Sequence, residues 1–237
     1  MGIFDLFLSK EQRIARHQRT LTNRDAQADD REASARWLAD EGSPKAIVAL
    51  LTRFDMNLEN QLKDKAEKDF VYGMLAGMGE PLFRPLDRHL ERCRQVALPL
   101  RLYVDTKGEE AAIRKVYEVI EKERGEEFKP QKKVDLLVWL SERKHPGAIE
   151  AARPLLADFD EQVRYSAAEV IVTQQDEAGR PDLERVMLNP EEESNRLRVR
   201  IAGVFAERGW SLDLPEGEAT GRLPGGFTVR GGRVAHA

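Results

Sequence analysis

The repeating element of this chain is clearest at residues 139–156, which read WLSERKHPGAIEAARPLL. An apolar helix end is followed there by a polar turn, a proline and a second amphipathic segment. The same order recurs at 37–51 (WLADEGSPKAIVALL), at 74–90 (MLAGMGEPLFRPLDRHL) and, with a longer turn, at 170–188. Self-similarity at a regular spacing is the signature of a repeat architecture. We therefore expect successive repeats, each made of two helices.

A proline closes each of these turns, at Pro44, Pro81, Pro146 and Pro181, so that successive prolines are 37, 65 and 35 residues apart. We expect each proline at the first position of a second helix, where its missing N–H costs nothing. The gap of 65 residues is close to two repeats. A further repeat, not marked by a proline, should therefore begin its second helix near residue 110.

We call the apolar residue that begins the end of each first helix, such as Trp139, the anchor of its repeat. The residue six positions before the anchor is basic in every repeat except the third, where it is Val96. The basic residues at this position are Arg31, Lys68, Lys133, Arg164 and Arg198. Two helices alone cannot bury their apolar faces, so neighbouring repeats must stack into one continuous core. The sequence thus favours an α-solenoid.

Residues 158–168, DFDEQVRYSAA, resemble the acidic turn, Val-Arg and Ala-Ala pattern of bacterial HEAT-like repeats, and residues 197–202 resemble a second copy. The resemblance extends over about residues 25–210. It implies an all-α chain, an α-α superhelix, in which Asp160 and Arg164 belong to a ladder of hydrogen bonds between adjacent repeats. The basic residues at the matching positions would share this structural role. HEAT-like repeats serve many functions, so the resemblance concerns the fold alone.

Both ends of the chain fall outside the repeats, and we predict an N-terminal capping segment at 1–24, a HEAT-like solenoid at 25–210 and a C-terminal tail at 211–237. Ser9 and Gln12 have the spacing of a capping box, which predicts a helix over residues 10–21 that covers the first repeat. In the tail, residues 227–235 read as a short β-hairpin across a Gly-Gly turn.

The first residues also allow a second interpretation. The apolar residues Ile3, Phe4, Leu6, Phe7 and Leu8 stand beside three arginines, Arg13, Arg16 and Arg19. Such a pattern can dock on an anionic membrane surface or in a partner's groove. The apolar run is too short to span a bilayer, and it lacks the preceding positive charge of a signal peptide. We therefore predict a cytoplasmic protein, with membrane-surface contact through residues 1–20 as an alternative.

Composition narrows the classes of function. The net charge of −4 gives no electrostatic reason to expect nucleic acid, whose phosphates call for a basic surface. The single cysteine, Cys93, excludes an intrachain disulfide and a cysteine-cluster metal site. His89 lies four residues before Cys93, a spacing that allows two ligands to share a metal, but a structural zinc site needs four. We expect half-buried packing for Cys93, with no metal and no cofactor.

No pattern in the sequence supplies a nucleophile elbow, a phosphate-binding glycine loop or a zinc-protease helix, so we expect no catalytic residues and no enzyme activity. The polar faces of the second helices are the better candidates, because in HEAT-type stacks these helices line the concave face. Arg84, Arg88 and Arg92 fall on one helical face at intervals of four residues. The predicted concave surface also includes Arg114, Lys115, Glu118 and Arg153.

We therefore predict a scaffold or adaptor that binds a protein partner, one with an acidic segment, on this concave face. Two alternatives stay open besides the membrane adaptor. A HEAT-like enzyme or enzyme-assisting module would be of the DNA glycosylase type or of the lyase type. A glycosylase of this kind places aromatic residues beside an acidic residue on the concave face, and no such Trp-Trp-Asp cluster is visible in the sequence.

Overall fold

The computed structural model describes residues 8–237 of the chain. It is all-α apart from one small antiparallel hairpin near the C-terminus, as the sequence predicts. The predicted apolar segment at residues 3–7 lies outside the described residues, and Leu8 is half-buried. Among residues 8–237, no helix is long and apolar enough to cross a membrane.

The helices follow one another with short connections. In chain order they are α1 (Lys10–Leu21), α2 (Ala28–Glu41), α3 (Pro44–Leu51), α4 (Gln61–Ala76), α5 (Phe83–Arg92), α6 (Ala97–Lys107), α7 (Glu109–Glu123), α8 (Pro130–Ser141), α9 (Ala148–Ala152), α10 (Glu161–Gln174), α11 (Arg180–Leu188), α12 (Asn195–Arg208) and α13 (Glu216–Thr220). The strands are β1 (Phe227–Arg230) and β2 (Arg233–His236). Helix α7 is the second helix predicted near residue 110 for the third repeat.

Local signals fix the helix ends. At α1, the backbone N–H of Ser9 donates to the Gln12 side chain at 2.8 Å, and the N–H of Gln12 donates to the Ser9 hydroxyl at 3.2 Å. This confirms the predicted capping box. Helix α2 ends at Gly42, whose φ of 60° is the left-handed conformation that glycine adopts without strain.

The prolines mark the second helices less regularly than predicted. Pro44 is the first residue of α3 and Pro181 is the second residue of α11. Pro81 instead lies in a 3-10 turn, Glu80–Leu82, that precedes α5. Pro146 stands in the turn before α9, followed by Gly147. A Cβ atom at Gly147 would meet the Tyr117 ring at 2.9 Å, so this position beside the ring has little room for a side chain.

By its internal contacts the chain divides into two compact units, unit 1 (Met1–Lys115) and unit 2 (Val116–Ala237). In unit 1, α1 packs on α2 and α3. Helix α2 packs on α4 and α4 on α6, while α3 packs on α5. The helices predicted as first helices, α2, α4 and α6, thus contact one another in succession, and α3 contacts α5. Leu38, Leu50, Leu75 and Leu86 are fully buried between them.

In unit 2, α10 packs against α8, α9 and α12, and α11 packs against α12. The core here includes Leu137, Ile171 and Phe205. The hairpin closes this unit, because β2 packs on α12 and α13 packs on β1. Val229 pairs with Val234, and both side chains are buried, so the predicted hairpin is docked on the helices.

Candidate functional site

Helix α5 has two faces of opposite character. Pro85, Leu86 and Leu90 are buried in unit 1, whereas Arg84, Arg88 and Arg92 are exposed. Residues four apart lie one above the other on a helix, so the three guanidinium groups form a single row. Within the described part of the chain, none of the three makes an ion pair or a side-chain hydrogen bond. We call this set the arginine row.

The arginine row borders a groove of about 750 Å³ in unit 1. Side chains of α1, such as Ile14 and Gln18, form the opposite side, and α3 contributes Lys45 and Val48. The packing of α1 on α3 and of α3 on α5 therefore creates this groove. An apolar lining with a few placed charges is the usual composition of a binding site.

The acidic groups of the groove are already engaged. Glu11 accepts a hydrogen bond from Lys45, and this bond together with the charge of Lys45 holds the pKa of Glu11 below its ordinary value. Asp55 uses Oδ1 to accept the backbone N–H groups of Arg94 at 2.9 Å and Gln95 at 3.1 Å. The charge left uncompensated along the groove is therefore the positive charge of the arginine row.

Three potential metal ligands meet at the groove. The carboxylate of Asp55, the imidazole of His89 and the thiol of Cys93 lie within 4.8 Å of one another. His89 Nε2 is 3.7 Å from Asp55 Oδ2, and Cys93 Sγ lies 3.7 Å from the carbonyl oxygen of Leu90. His89 and Cys93 are both buried, so Cys93 lies deeper than the half-buried position expected from the sequence, and the sequence spacing gave no indication of Asp55.

The other residues of the predicted concave surface are placed differently. Lys115 is buried, and its Nζ donates to Glu91 at 2.8 Å, so it does not extend the arginine row to solvent. Arg114 is exposed and pairs with Glu110 within α7. The reason is helical phase: one position along α7 turns a side chain by about 100°. Adjacent residues of α7 therefore cannot both continue the row.

Glu118 and Arg153 belong to unit 2. Glu118 is exposed on α7. Arg153 is half-buried, and it donates from Nε to Asp182 at 2.6 Å and from Nη1 to Glu150 at 2.6 Å. Its hydrogen bonds to Asp182 and Glu150 raise the pKa of Arg153 further. Arg153 is thus engaged within its own unit.

The basic residues six positions before the anchors mostly bind carboxylates far along the chain. Arg31 donates two hydrogen bonds to Glu67 at 2.7 and 2.9 Å, and Lys133 reaches Asp158 at 2.5 Å. Arg164 makes a similar two-point contact with Glu192. These partners are 36, 25 and 28 residues away along the chain.

The other residues of the predicted ladder make contacts of a different kind from these long-range ion pairs. Asp160 does not bind a basic residue of another repeat by a hydrogen bond; it caps its own helix by accepting the N–H of Val163. Its position at the N-terminus of α10 explains this role. Lys68 pairs with Asp64 within α4, and Arg198 donates to the carbonyl oxygen of Met187.

One basic residue of the second helices is entirely buried. Arg53, which follows α3, has a side-chain exposure of 0% and donates to Asp64 at 2.8 Å and to Glu67 at 3.2 Å. Since Glu67 also accepts from Arg31, and Asp64 pairs with Lys68, the five side chains form one charged cluster in unit 1. We call it the buried ionic cluster.

Each tryptophan packs against a side chain of its own unit. Trp37 stacks on His17 at 4.2 Å, Trp139 lies under the Arg143 guanidinium at 3.7 Å, and Trp210 meets Phe205 edge-on at 5.3 Å. None of the three lines the groove. A base-stacking aromatic beside the arginine row, as the glycosylase alternative would require, is therefore not found in the described residues.

Scans against protein-family models, curated proteins and solved structures find no match to this chain.

Proposed function

We propose that this chain is a HEAT-like repeat protein without catalytic activity, and that it binds an acidic segment of a partner protein in the groove of unit 1. The observation that carries the proposal is the arginine row. Its three guanidinium groups share one helix face and have no ionic partner among the described residues.

The energetics of the row favour an anionic ligand. Like charges four residues apart destabilise a helix by about 0.2–0.5 kcal/mol per pair. A carboxylate bound between two guanidinium groups removes this repulsion and adds charge-assisted, two-point hydrogen bonds. Elsewhere in the chain, Arg31 and Arg164 form such two-point hydrogen bonds with glutamates of this protein, Glu67 and Glu192. In the groove the carboxylates must come from outside.

The spacing of the row indicates the shape of the ligand. Successive arginines are separated by about 6 Å along the helix axis, at 1.5 Å per residue. In an extended segment, every second side chain lies on the same side, at intervals of about 6.6 Å. A segment with acidic residues at alternate positions therefore matches the row, and the apolar side chains of α1 and α3 can pack against its intervening side chains.

The HEAT-like part of the proposal is supported by two kinds of contact. First helices pack on the next first helices, as α2 does on α4 and α8 on α10. The ion pairs formed by Arg31, Lys133 and Arg164 join residues about one repeat apart. Repeating nearest-neighbour contacts of this kind are what solenoids rely on for stability.

The test uses a dye-labelled peptide with glutamate at alternate positions, titrated with the full chain and followed by fluorescence anisotropy. Replacing Arg84, Arg88 and Arg92 by glutamine should weaken binding about tenfold or more, since each exposed pair contributes about 0.2–1 kcal/mol. Raising the salt concentration should weaken wild-type binding as well, because exposed charges are screened.

The matched control changes the same number of charges elsewhere. Arg24, Arg222 and Arg230 are exposed and lie outside the groove, so their replacement by glutamine should leave the affinity unchanged. An equal loss in both triple variants would mean that net charge alone drives binding. A single-stranded oligonucleotide that binds as tightly as the peptide would overturn the assignment of a protein partner.

A further inference from the structure

The arginine groove contains a second set of functional groups that the peptide proposal does not use. Asp55, His89 and Cys93 all line the groove, and their ligand atoms lie within 4.8 Å of one another. Asp55 follows α3, whereas His89 and Cys93 are one turn apart at the end of α5. The packing of α3 on α5 therefore brings together residues that are 34 or more positions apart in the sequence.

We propose that Asp55, His89 and Cys93 bind one divalent transition-metal ion of the zinc class, with the remaining coordination position open to the groove. This goes beyond the proposed peptide binding and does not depend on it.

The types of ligand atom favour zinc. A thiolate, an imidazole and a carboxylate are the three protein ligands that zinc accepts, whereas calcium and magnesium require oxygen ligands. In a tetrahedral site with bonds of about 2.0–2.3 Å, ligand atoms are separated by about 3.3–3.7 Å. His89 Nε2 and Asp55 Oδ2 are already 3.7 Å apart. Small side-chain rotations would bring the thiol into range.

The surrounding backbone holds the ligands in place. Asp55 accepts two backbone N–H groups with Oδ1, which leaves Oδ2 directed toward His89. Cys93 is the C-cap of α5, where the backbone turns from helical to extended, and its N–H donates to the His89 carbonyl at 2.7 Å. Outer contacts that fix ligand orientation in this way are a regular feature of metal sites.

The charges also balance. Binding of a divalent cation releases the thiol proton to solvent, so the site would contain a carboxylate, a thiolate and a neutral imidazole around the ion. The two ligand charges neutralise the metal, and the nearby guanidinium groups of Arg88 and Arg92 then face no net positive charge.

Access to the metal site is direct, since all three residues border a groove of about 750 Å³. The three protein ligands leave the fourth position of a tetrahedral zinc site for water or another ligand from the groove.

Cobalt(II) provides a specific test, because it replaces zinc and absorbs light according to its ligands. The chain has a single cysteine, so a thiolate-to-cobalt charge-transfer band can arise only from Cys93. Titration of the full chain with cobalt chloride should give this band, saturating at one ion per chain, and added zinc should abolish it. Cys93→Ser should lose the band. Asp55→Asn and His89→Gln should each weaken cobalt binding by about tenfold or more.

The control is His236→Gln, which removes an exposed histidine of β2 and should leave the titration unchanged. Far-ultraviolet circular dichroism checks that each variant is folded. Because His89 is buried, a measurement on the wild type accompanies the variants: one equivalent of zinc should slow the reaction of Cys93 with a thiol reagent.

Three outcomes would overturn the proposal. One is a folded wild type that shows neither the charge-transfer band nor zinc protection of Cys93. Another is a band that persists undiminished in Asp55→Asn and His89→Gln. The third is saturation at one ion per two chains, which would mean that two copies share a metal through Cys93. Peptide affinity is measured separately, so failure of the metal site and failure of the peptide proposal can be told apart.

Discussion

Arg164 and Glu192 form a two-point ion pair between residues 28 positions apart, with Nε donating to Oε2 and Nη2 to Oε1, each at 2.8 Å. The third nitrogen of the same guanidinium, Nη1, donates to the carbonyl oxygens of Asp158 and Phe159 at 3.0 Å. The Arg164 side chain therefore ties the turn before α10 to the turn before α12. Both partners are largely buried, with side-chain exposures of 16% and 6%.

Removing one partner of this pair should destabilise the protein strongly. We expect Glu192→Ala to lower the free energy of unfolding by about 3 kcal/mol or more, because it leaves the Arg164 charge buried without its carboxylate. Equilibrium unfolding in urea measures the loss. The neighbouring Glu193 is exposed, and Glu193→Ala should change the stability by no more than about 0.5 kcal/mol. Equal effects of the two substitutions would contradict the importance of the pair.

The paired glutamates also predict how stability depends on pH. Burial by itself raises the pKa of Glu192 and of Glu67, but the hydrogen bonds and positive charges around each carboxylate, those of Arg164 and Arg31 foremost, together outweigh it, and both pKa values lie below the ordinary 4.5. A carboxyl group with a depressed folded-state pKa contributes stability that is complete above the unfolded value and is lost as pH falls through the folded value.

We therefore expect the urea midpoint to fall as the pH is lowered below about 4.5, and to change little through these two groups above it. In Glu192→Gln, which cannot titrate at this position, the acid-induced decrease should be smaller than in the wild type. A midpoint that rises on acidification through this range would show that the sign of these pKa shifts is wrong.

Two glycine positions provide a matched pair of opposite predictions. A Cβ atom at Gly179 would lie 2.3 Å from Cγ2 of the buried Ile171, whereas nothing lies within 4 Å of one at Gly203 in α12. We expect Gly179→Ala to destabilise the protein by about 1–3 kcal/mol through overpacking. Gly203→Ala should stabilise it by up to about 1 kcal/mol, because alanine favours a helix interior. Urea unfolding of both variants checks the signs.

The buried ionic cluster makes Arg53 the most sensitive basic residue of unit 1. In Arg53→Met, Asp64 and Glu67 would each lose a buried donor, and we expect a loss of about 3–5 kcal/mol of stability. Arg36 is a suitable comparison, because it is exposed, its ion pair is with Glu32 one turn away, and its guanidinium otherwise lies over the Phe70 ring at 4.7 Å. Arg36→Met should leave the stability nearly unchanged. Circular dichroism during urea titration distinguishes the two results.

Much of the helical pattern could be predicted because its signals are local. The capping box at Ser9 and Gln12, the hairpin across Gly231 and Gly232, and the helix that begins near residue 110 each depend on neighbours within a few residues. The arginine row was also predictable, since intervals of four residues are sufficient to place side chains on one helix face.

The features that sequence reasoning missed depend on contacts between distant segments. Lys115 was expected to be exposed, but the packing of α7 places it beside Glu91. Asp55 carries no signal that connects it with His89 and Cys93, because only the packing of α3 on α5 brings them together. The burial of Arg53 also could not be predicted, since neither of its partners, Asp64 and Glu67, is recognisable from spacing within its own helix.

The buried ionic cluster has a consequence for behaviour on heating. The hydration of charged groups becomes less favourable as the temperature rises, so the desolvation cost of keeping Arg53, Asp64 and Glu67 away from water decreases. The stabilisation gained per area of buried apolar surface does not grow in the same way. The relative contribution of this cluster to the stability of unit 1 therefore increases as the temperature rises.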